Sequence, residues 1–348
     1  MKRKLSYVAL MAGLLAVAGC SNDQSSADSN SEGVTTLRFS HFMTPNDPIN
    51  KEVFEPWAKK VEEDSKGRLK VEIYPSATLS KPDSTYESSV SGIVDIGVQP
   101  QGYTSGRFPI SLMAELPGIS TSGEQLGCVM HKLYDDGVIA DEYKDTHVLF
   151  MLGSGSHSLH TKDKTIKTPA DLQGMRIRRT SSVTADLLDA LGAVPVGIPA
   201  MDTYTSLQRG VIDGVSLPWQ PMAAFRLNEL VNTHTVLPYY NAEFVISMNK
   251  DKYNSLPDDL KKVIDDNSGA QMGIKGSKIF DRINEEVMKE AAARGDTIIE
   301  IKDPLNDPAW KPALEKGTQK YLDNLKAQGI DADALYEKVK AASVSCQG

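Results

Sequence analysis

Arginine alternating with an apolar residue is the first arrangement in this chain that could do chemistry: Arg176-Ile177-Arg178, followed by Arg179. A guanidinium is planar, charged and forked, and it grips a carboxylate through two parallel hydrogen bonds. At the end of a parallel strand, such a group points into the crevice where open α/β sheets bind ligands. An Arg on a strand also serves as one half of an ion pair, so these residues alone leave both roles open for Arg178. Arg176 and Arg179 read as surface charges. The signatures of catalysis are missing from the sequence, which contains no HExxH, GxGxxG, Walker A or GxSxG. His157 and His160 are close, but residues three apart on a strand point to opposite faces, which disfavours a shared metal. No metal and no cofactor are expected, and the chain does not read as an enzyme.

The surroundings of Arg178 carry more. Leu172-Gln173-Gly174-Met175 lead into it, and Leu191-Gly192-Ala193-Val194-Pro195-Val196 follow. Tyr204, Leu207-Gln208 and Gly210-Val211-Ile212-Asp213-Gly214 complete the series. This ordered set resembles the solute-binding proteins of TRAP (tripartite ATP-independent periplasmic) transporters, the DctP-like family. The resemblance implies that the second basic residue of the strand, here Arg178, holds the carboxylate of an organic acid. It also implies a two-lobed receptor that closes on its ligand and docks on membrane permease subunits, with uptake driven by an ion gradient.

Matching positions supply further ligand-binding candidates. In Asp213-Gly214-Val215-Ser216-Leu217-Pro218-Trp219-Gln220 the family often places a polar residue before the Pro, where this chain has Leu217. That departure disfavours a heavily hydroxylated sugar acid. Trp219 and Gln220 read as pocket wall and polar contact, with core packing the alternative for Trp219. Sialic-acid binders carry a further Arg upstream, whereas the corresponding Gly153–Ser158 stretch has none. Its Ser and Gly residues, Ser158 among them, read as a crossover passing close to a ligand. Tyr103 and Arg107 follow the third strand, and Arg107 is either a second anion contact or a structural brace. His41 and Phe42 follow the first strand, and Asn241 and Phe244 lie where the chain returns to the first lobe. This inventory suits an acid with one essential carboxylate and an apolar or aromatic body. A C4-dicarboxylate stays open if Arg107 is a second clamp.

The elements that position these residues alternate strand and helix. Leu37 and Phe39 alternate in a strand, and Asp47-Pro48 open a helix whose Ile49, Val53, Trp57 and Val61 form an apolar stripe. Leu69, Val71 and Ile73 make the next strand, Tyr86 to Ile93 a helix, and Val94 to Val98 a third strand. This β-α-β-α-β order predicts a parallel sheet with right-handed crossovers. The rhythm restarts after residue 148, with strands at Met175–Arg178, Val194–Ile198 and Val215–Leu217. The expected class is therefore α/β, two units in series with mainly parallel sheets, and the resemblance implies a two-lobed periplasmic-binding-protein clamshell. Lobe I comprises residues 36–155 plus 243–281, and lobe II residues 156–242 plus 282–345. After Ser255 helical character continues to Arg294, about 55 Å if unbroken, with Gly269, Gly273 and Gly276 as places for a kink. The resemblance implies that this long helix spans both lobes.

The N-terminus fixes the compartment. Lys2, Arg3 and Lys4 precede an apolar run from Val8 to Val17, too short for a permanent membrane anchor, so residues 1–19 read as a signal peptide. Val17-Ala18-Gly19-Cys20 looks like a lipobox with Cys20 as the lipidated residue, ordinary cleavage being the alternative. Residues 20–35 are small and polar and read as a disordered tether. The chain would then lie on the periplasmic or cell-surface side of a bacterial membrane, touching it only through the anchor. Cys128 and Cys346 remain, either as a disulfide or as two free thiols. With 46 acidic against 38 basic residues and net charge −8, nucleic-acid binding is excluded as a function class. Two other classes compete with a transport receptor. One is a ligand-sensing lipoprotein feeding a membrane receptor; the other is a secreted hydrolase, which the missing nucleophile motifs disfavour.

Overall fold

Strand alternation and helical stripes place the first elements where the sequence expects them. In a computed structural model of the chain, which describes residues 33–347, Leu37 and Phe39 of β1 (Thr35–Ser40) point into the core. The helix that follows begins with a wide π turn at Asn50–Phe54 and continues as α1 (Glu55–Asp64). Its stripe of Ile49, Val53, Trp57 and Val61 is buried against that strand. Next come β2 (Leu69–Tyr74), α2 (Thr85–Val90), β3 (Ile96–Pro100), α3 (Gly123–Asp135) and β4 (Thr146–Ser156). After β5 (Ser158–Thr161) and β6 (Arg176–Arg179) the chain runs through α4 (Ser182–Ala190), β7 (Val194–Gly197), α5 (Thr203–Gln208), β8 (Gly214–Leu217) and α6 (Gln220–Ala224). β9 (Thr233–Val236), β10 (Asn241–Asn249), α7 (Lys250–Asn254), α8 (Asp258–Asp266) and α9 (Ala270–Arg294) follow. β11 (Thr297–Glu300), α10 (Lys311–Ala327) and α11 (Ala332–Ser345) complete the described chain. The signal segment 1–19, Cys20 and most of the 20–35 tether lie outside the described residues.

The strands form two sheets, ordered β2-β1-β3-β10-β4 and β11-β9-β5-β8-β6-β7. Each is mixed because one strand runs against the rest: β10 pairs antiparallel with β3 and β4, and β5 with β8 and β9. The chain reaches each of these two strands straight from a strand of the other sheet. β4 leaves the first sheet and β5 enters the second with only His157 between them, and β10 returns after β9. The two crossings meet where the His157 N–H donates to the Tyr240 carbonyl at 3.1 Å. The architecture is thus a clamshell of two helix-flanked sheets joined by paired crossover strands.

The helical run after Ser255 breaks at one place. Gly269, at φ +82°, separates α8 from α9, a conformation that glycine adopts without Cβ strain. Gly273 and Gly276 lie inside α9, buried against β4. The helix has 25 residues, about 37 Å rather than the 55 Å of an unbroken run. It packs on α3 and β4 from the first sheet's side and on α6 from the second. Asn284 joins the two sides, accepting from the Gln220 N–H at 2.7 Å and donating to the Ser154 carbonyl at 2.8 Å. Near the C-terminus α10 lies on α4, and α11 returns to α3, where Cys346 is disulfide-bonded to Cys128 across 218 residues. Among the described residues no helix is long and apolar enough to cross a membrane.

Candidate ligand-binding site

The cavity lies at the crossing point, between the loops after β1 and β3 on one side and the ends of β6 and β8 on the other. About 560 Å3 of space outside the protein atoms lies here, open solvent at the mouth included. Its walls are largely apolar. Phe42 and Phe244 have ring centres 6.1 Å apart, and Phe244 stacks on Phe280 at 5.8 Å. Phe225, Leu217, Pro218 and Met43 line the same space. Where Gly102 passes the start of α4, an added Cβ would come within 2.6 Å of Ser181 Cβ. A side chain there would pry the two sides of the cavity apart.

Arg178 is the cation of this wall, with no exposed surface. Its Nε–H donates to the Ile198 carbonyl at 2.8 Å, and Nη2 donates to the Tyr103 hydroxyl. The same hydroxyl accepts from the Ala200 N–H at 3.0 Å, so the guanidinium is fixed from two directions. Nη1 has no hydrogen-bond partner. A buried guanidinium nitrogen without an acceptor is costly, and a bound carboxylate would remove that cost. Arg178 also disfavours protonation of His157, whose pKa is held well below the usual imidazole range, first by burial and then by this charge. His157 lines the cavity as a neutral ring tilted by 31° against that of Tyr240, ring centres 4.1 Å apart.

Five of the sequence-derived candidates line this cavity: Arg178, Tyr103, Phe42, Phe244 and Gln220. Gln220 bridges its two sides, its Nε2 donating to Asp47 at 2.8 Å. Burial raises the Asp47 carboxyl to about 6 despite that bond. The remaining candidates lie elsewhere. Arg107 is engaged by Asp145 at 3.0 Å and lies over the Tyr86 ring, the brace rather than the clamp geometry. His41 bonds Asn50 at 2.9 Å and packs in the core against Phe39 and Phe54. Trp219 packs against the imidazoles of His160 and His234, Ser158 sits in β5 opposite Leu217, and Asn241 donates to the Ser120 carbonyl at 3.1 Å. Arg176 is exposed and paired with Asp213, while Arg179 is half-buried. Among the described residues, no group of three or more His, Cys, Asp or Glu could hold a metal.

Glu115, Glu243, Asp47, His157, Thr180 and Phe280 also line the cavity and are not among the ligand contacts expected from the sequence. A signal existed for two of them. Glu115 interrupts the apolar run Leu112-Met113-Ala114-Glu115-Leu116, and Glu243 interrupts Ala242-Glu243-Phe244-Val245-Ile246. Acid side chains in such runs are buried, and buried acids are seldom idle.

Comparison with known proteins fits this geometry. Residues 39–325 match the profile of the bacterial extracellular solute-binding protein family 7, DctP. The chain belongs to this family. A TRAP solute-binding protein from a marine metagenome, described as specific for aromatic acid ligands and solved with 3-hydroxybenzoate, is 34% identical. It superposes with a TM-score of 0.86, covering 90% of this chain and 99% of its own. A second, from Rhodoferax ferrireducens T118 with copurified benzoate, is 32% identical with a TM-score of 0.82, over 90% and 98% of the two chains. The C4-dicarboxylate-binding periplasmic protein DctP of Rhodobacter capsulatus is 25% identical over 88% of this chain and 90% of its own. Members of this family are extracytoplasmic receptors that bind organic acids and serve TRAP transporters, and this chain is such a solute-binding protein.

Proposed function

We propose that this receptor captures a small monocarboxylate with an aromatic body and delivers it unchanged to the membrane subunits of a TRAP permease. The observation that carries the reading is the free Nη1 of fully buried Arg178 in a cavity walled by Phe42, Phe244 and Phe280. One carboxylate satisfies the guanidinium, and a flat apolar body fills the space between rings. Arg107, spent on Asp145, offers no clamp for a second carboxylate. The 32–34% identical relatives solved with benzoate and 3-hydroxybenzoate favour the same ligand class.

The lobe partition of 36–155 plus 243–281 against 156–242 plus 282–345 belongs to this proposal, except that α11 packs on α3 of lobe I, with closure about the His157–Tyr240 crossing. So does export by residues 1–19 and anchoring of the body through lipidated Cys20 and the 20–35 tether. Closure would expel water and strengthen the Arg178–carboxylate pair.

A thermal-shift screen followed by calorimetry tests the ligand class with benzoate, a hydroxybenzoate and succinate. Ligand at 100 times its Kd stabilises by about 2.7 kcal/mol, so a true ligand moves the melting temperature by several degrees. The aromatic acids are expected to produce that shift and succinate is not. Tighter binding of succinate would overturn the reading.

A further inference from the structure

Of the three carboxyl groups that line the same cavity as Arg178, Asp47 is held by Gln220, and the other two, Glu115 and Glu243, do not pair with the arginine. Glu115 ends the short helical turn Ser111–Glu115, and Glu243 lies on β10 just past the crossing; each is 1% exposed. Glu115 accepts from the Ser181 hydroxyl at the start of α4. Neither oxygen of Glu243 receives a hydrogen bond from any backbone, hydroxyl or amide donor. The nearby buried Glu142 shows what a satisfied acid looks like here. It accepts from the backbone N–H groups of Ile110 and Ser111, at 2.7 and 2.9 Å, and from the Ser111 hydroxyl.

What Glu243 does have beside it is Glu115. Two buried carboxyls in contact are stable only if they retain protons. Burial raises Glu115 to about 8, and burial together with Glu115 raises Glu243 well above the carboxylate range. At neutral pH the pair therefore offers hydrogen-bonding oxygens with little charge. An incoming carboxylate is not repelled, and an ammonium group would find no counter-ion to offset its desolvation. A neutral hydroxyl matches both facts, since it donates to a carboxyl oxygen and accepts from a carboxyl proton. Neither acid is an ion-pair partner of Arg178, whose donors go to Ile198 and Tyr103 and whose Nη1 has no acceptor.

We propose that Glu243, backed by Glu115, is a second polar contact of the ligand site and selects acids that carry a hydroxyl on the body of the molecule, away from the carboxylate. This rests on the aromatic-acid reading above and narrows it from unsubstituted to hydroxylated rings. The rest of the wall supplies shape, and Glu243 supplies the discrimination.

The test is calorimetry of benzoate and its 2-, 3- and 4-hydroxy derivatives against wild type, Glu243→Gln and Glu243→Leu. Wild type should bind at least one hydroxy isomer about tenfold or more tighter than benzoate, the effect of one added hydrogen bond to a buried carboxyl. In Glu243→Leu that ratio should collapse to within about threefold of one, and Glu243→Gln should retain part of it. If Glu243→Leu does not fold, the ratio in Glu243→Gln is read alone and must fall below that of wild type. Benzoate bound as tightly as every hydroxy isomer by wild type would overturn the proposal. So would a preference that survives both substitutions. Failure of all four acids to bind wild type would instead reject the aromatic-acid reading, and this proposal with it.

Discussion

Arg178 and Arg107 each lie against a tyrosine ring, 5.6 Å and 4.6 Å from its centre, and each sends one Nη2–H to a tyrosine hydroxyl. Beyond that their settings diverge. Arg107 is partly exposed and holds Asp145, so its charge is matched within the protein. Arg178 is fully buried, its other partner is a backbone carbonyl, and Nη1 is left without an acceptor beside two acids that do not reach it. The lesson concerns satisfaction rather than residue type. A guanidinium supplied with a counter-ion braces the fold, and one deprived of it inside a cavity keeps a donor with which to hold a ligand.

The largest test of that contrast is Arg178→Ala. It should weaken binding of the preferred acid by about 2–4 kcal/mol, roughly 30- to 1,000-fold, because the carboxylate loses its only charged partner in the cavity. Lys should rescue poorly, since it lacks the fork. Calorimetry showing unchanged affinity would erase the distinction between the two arginines.

A second test asks why Arg178 takes no counter-ion from its own cavity. Glu115 keeps its proton to about pH 8 in the folded chain, against an ordinary value of 4.5. The native state therefore binds more protons than the unfolded state between those limits. This contribution to stability is fully present below about pH 4.5 and is lost as pH rises towards 8, by at most about 1.4 kcal/mol per pH unit for one proton. Urea melts of the ligand-free protein should show Glu115→Gln flattening that decline. An identical slope in the variant would mean that the acid is already ionised and that its separation from Arg178 has another cause.

The smallest effect belongs to Arg107→Ala. Affinity should change by less than about threefold, and stability should fall by about 1 kcal/mol or less, as expected for a half-exposed ion pair with a cation–π contact. A loss of affinity comparable to that of Arg178→Ala would make Arg107 a clamp after all and reopen the dicarboxylate reading.

Much of this molecule was legible before folding was considered. The alternation of Leu37 and Phe39, the stripe from Ile49 to Val61 and the restart after residue 148 announced two α/β units, because burial imposes those periods on the chain. The run around Arg178 announced the family, whose members bind organic acids. Local pattern could not say which loop residues turn inward. His41 and Phe42 are neighbours, yet one bonds Asn50 in the core and the other lines the cavity. Trp219 and Gln220 part in the same way.

Sequence by itself thus determined the fold class, which is written in short-range spacing, and through the family resemblance it singled out the arginine proposed to hold the acid. Only the tertiary structure decided that Arg107 is neutralised by Asp145, that Cys128 meets Cys346 across 218 residues, and that Glu115 and Glu243 share one cavity with Arg178. Those facts depend on which distant segments the paired crossover strands bring together. Whether a charge is spent or free depends on its neighbours in space, and spacing along the chain does not record them.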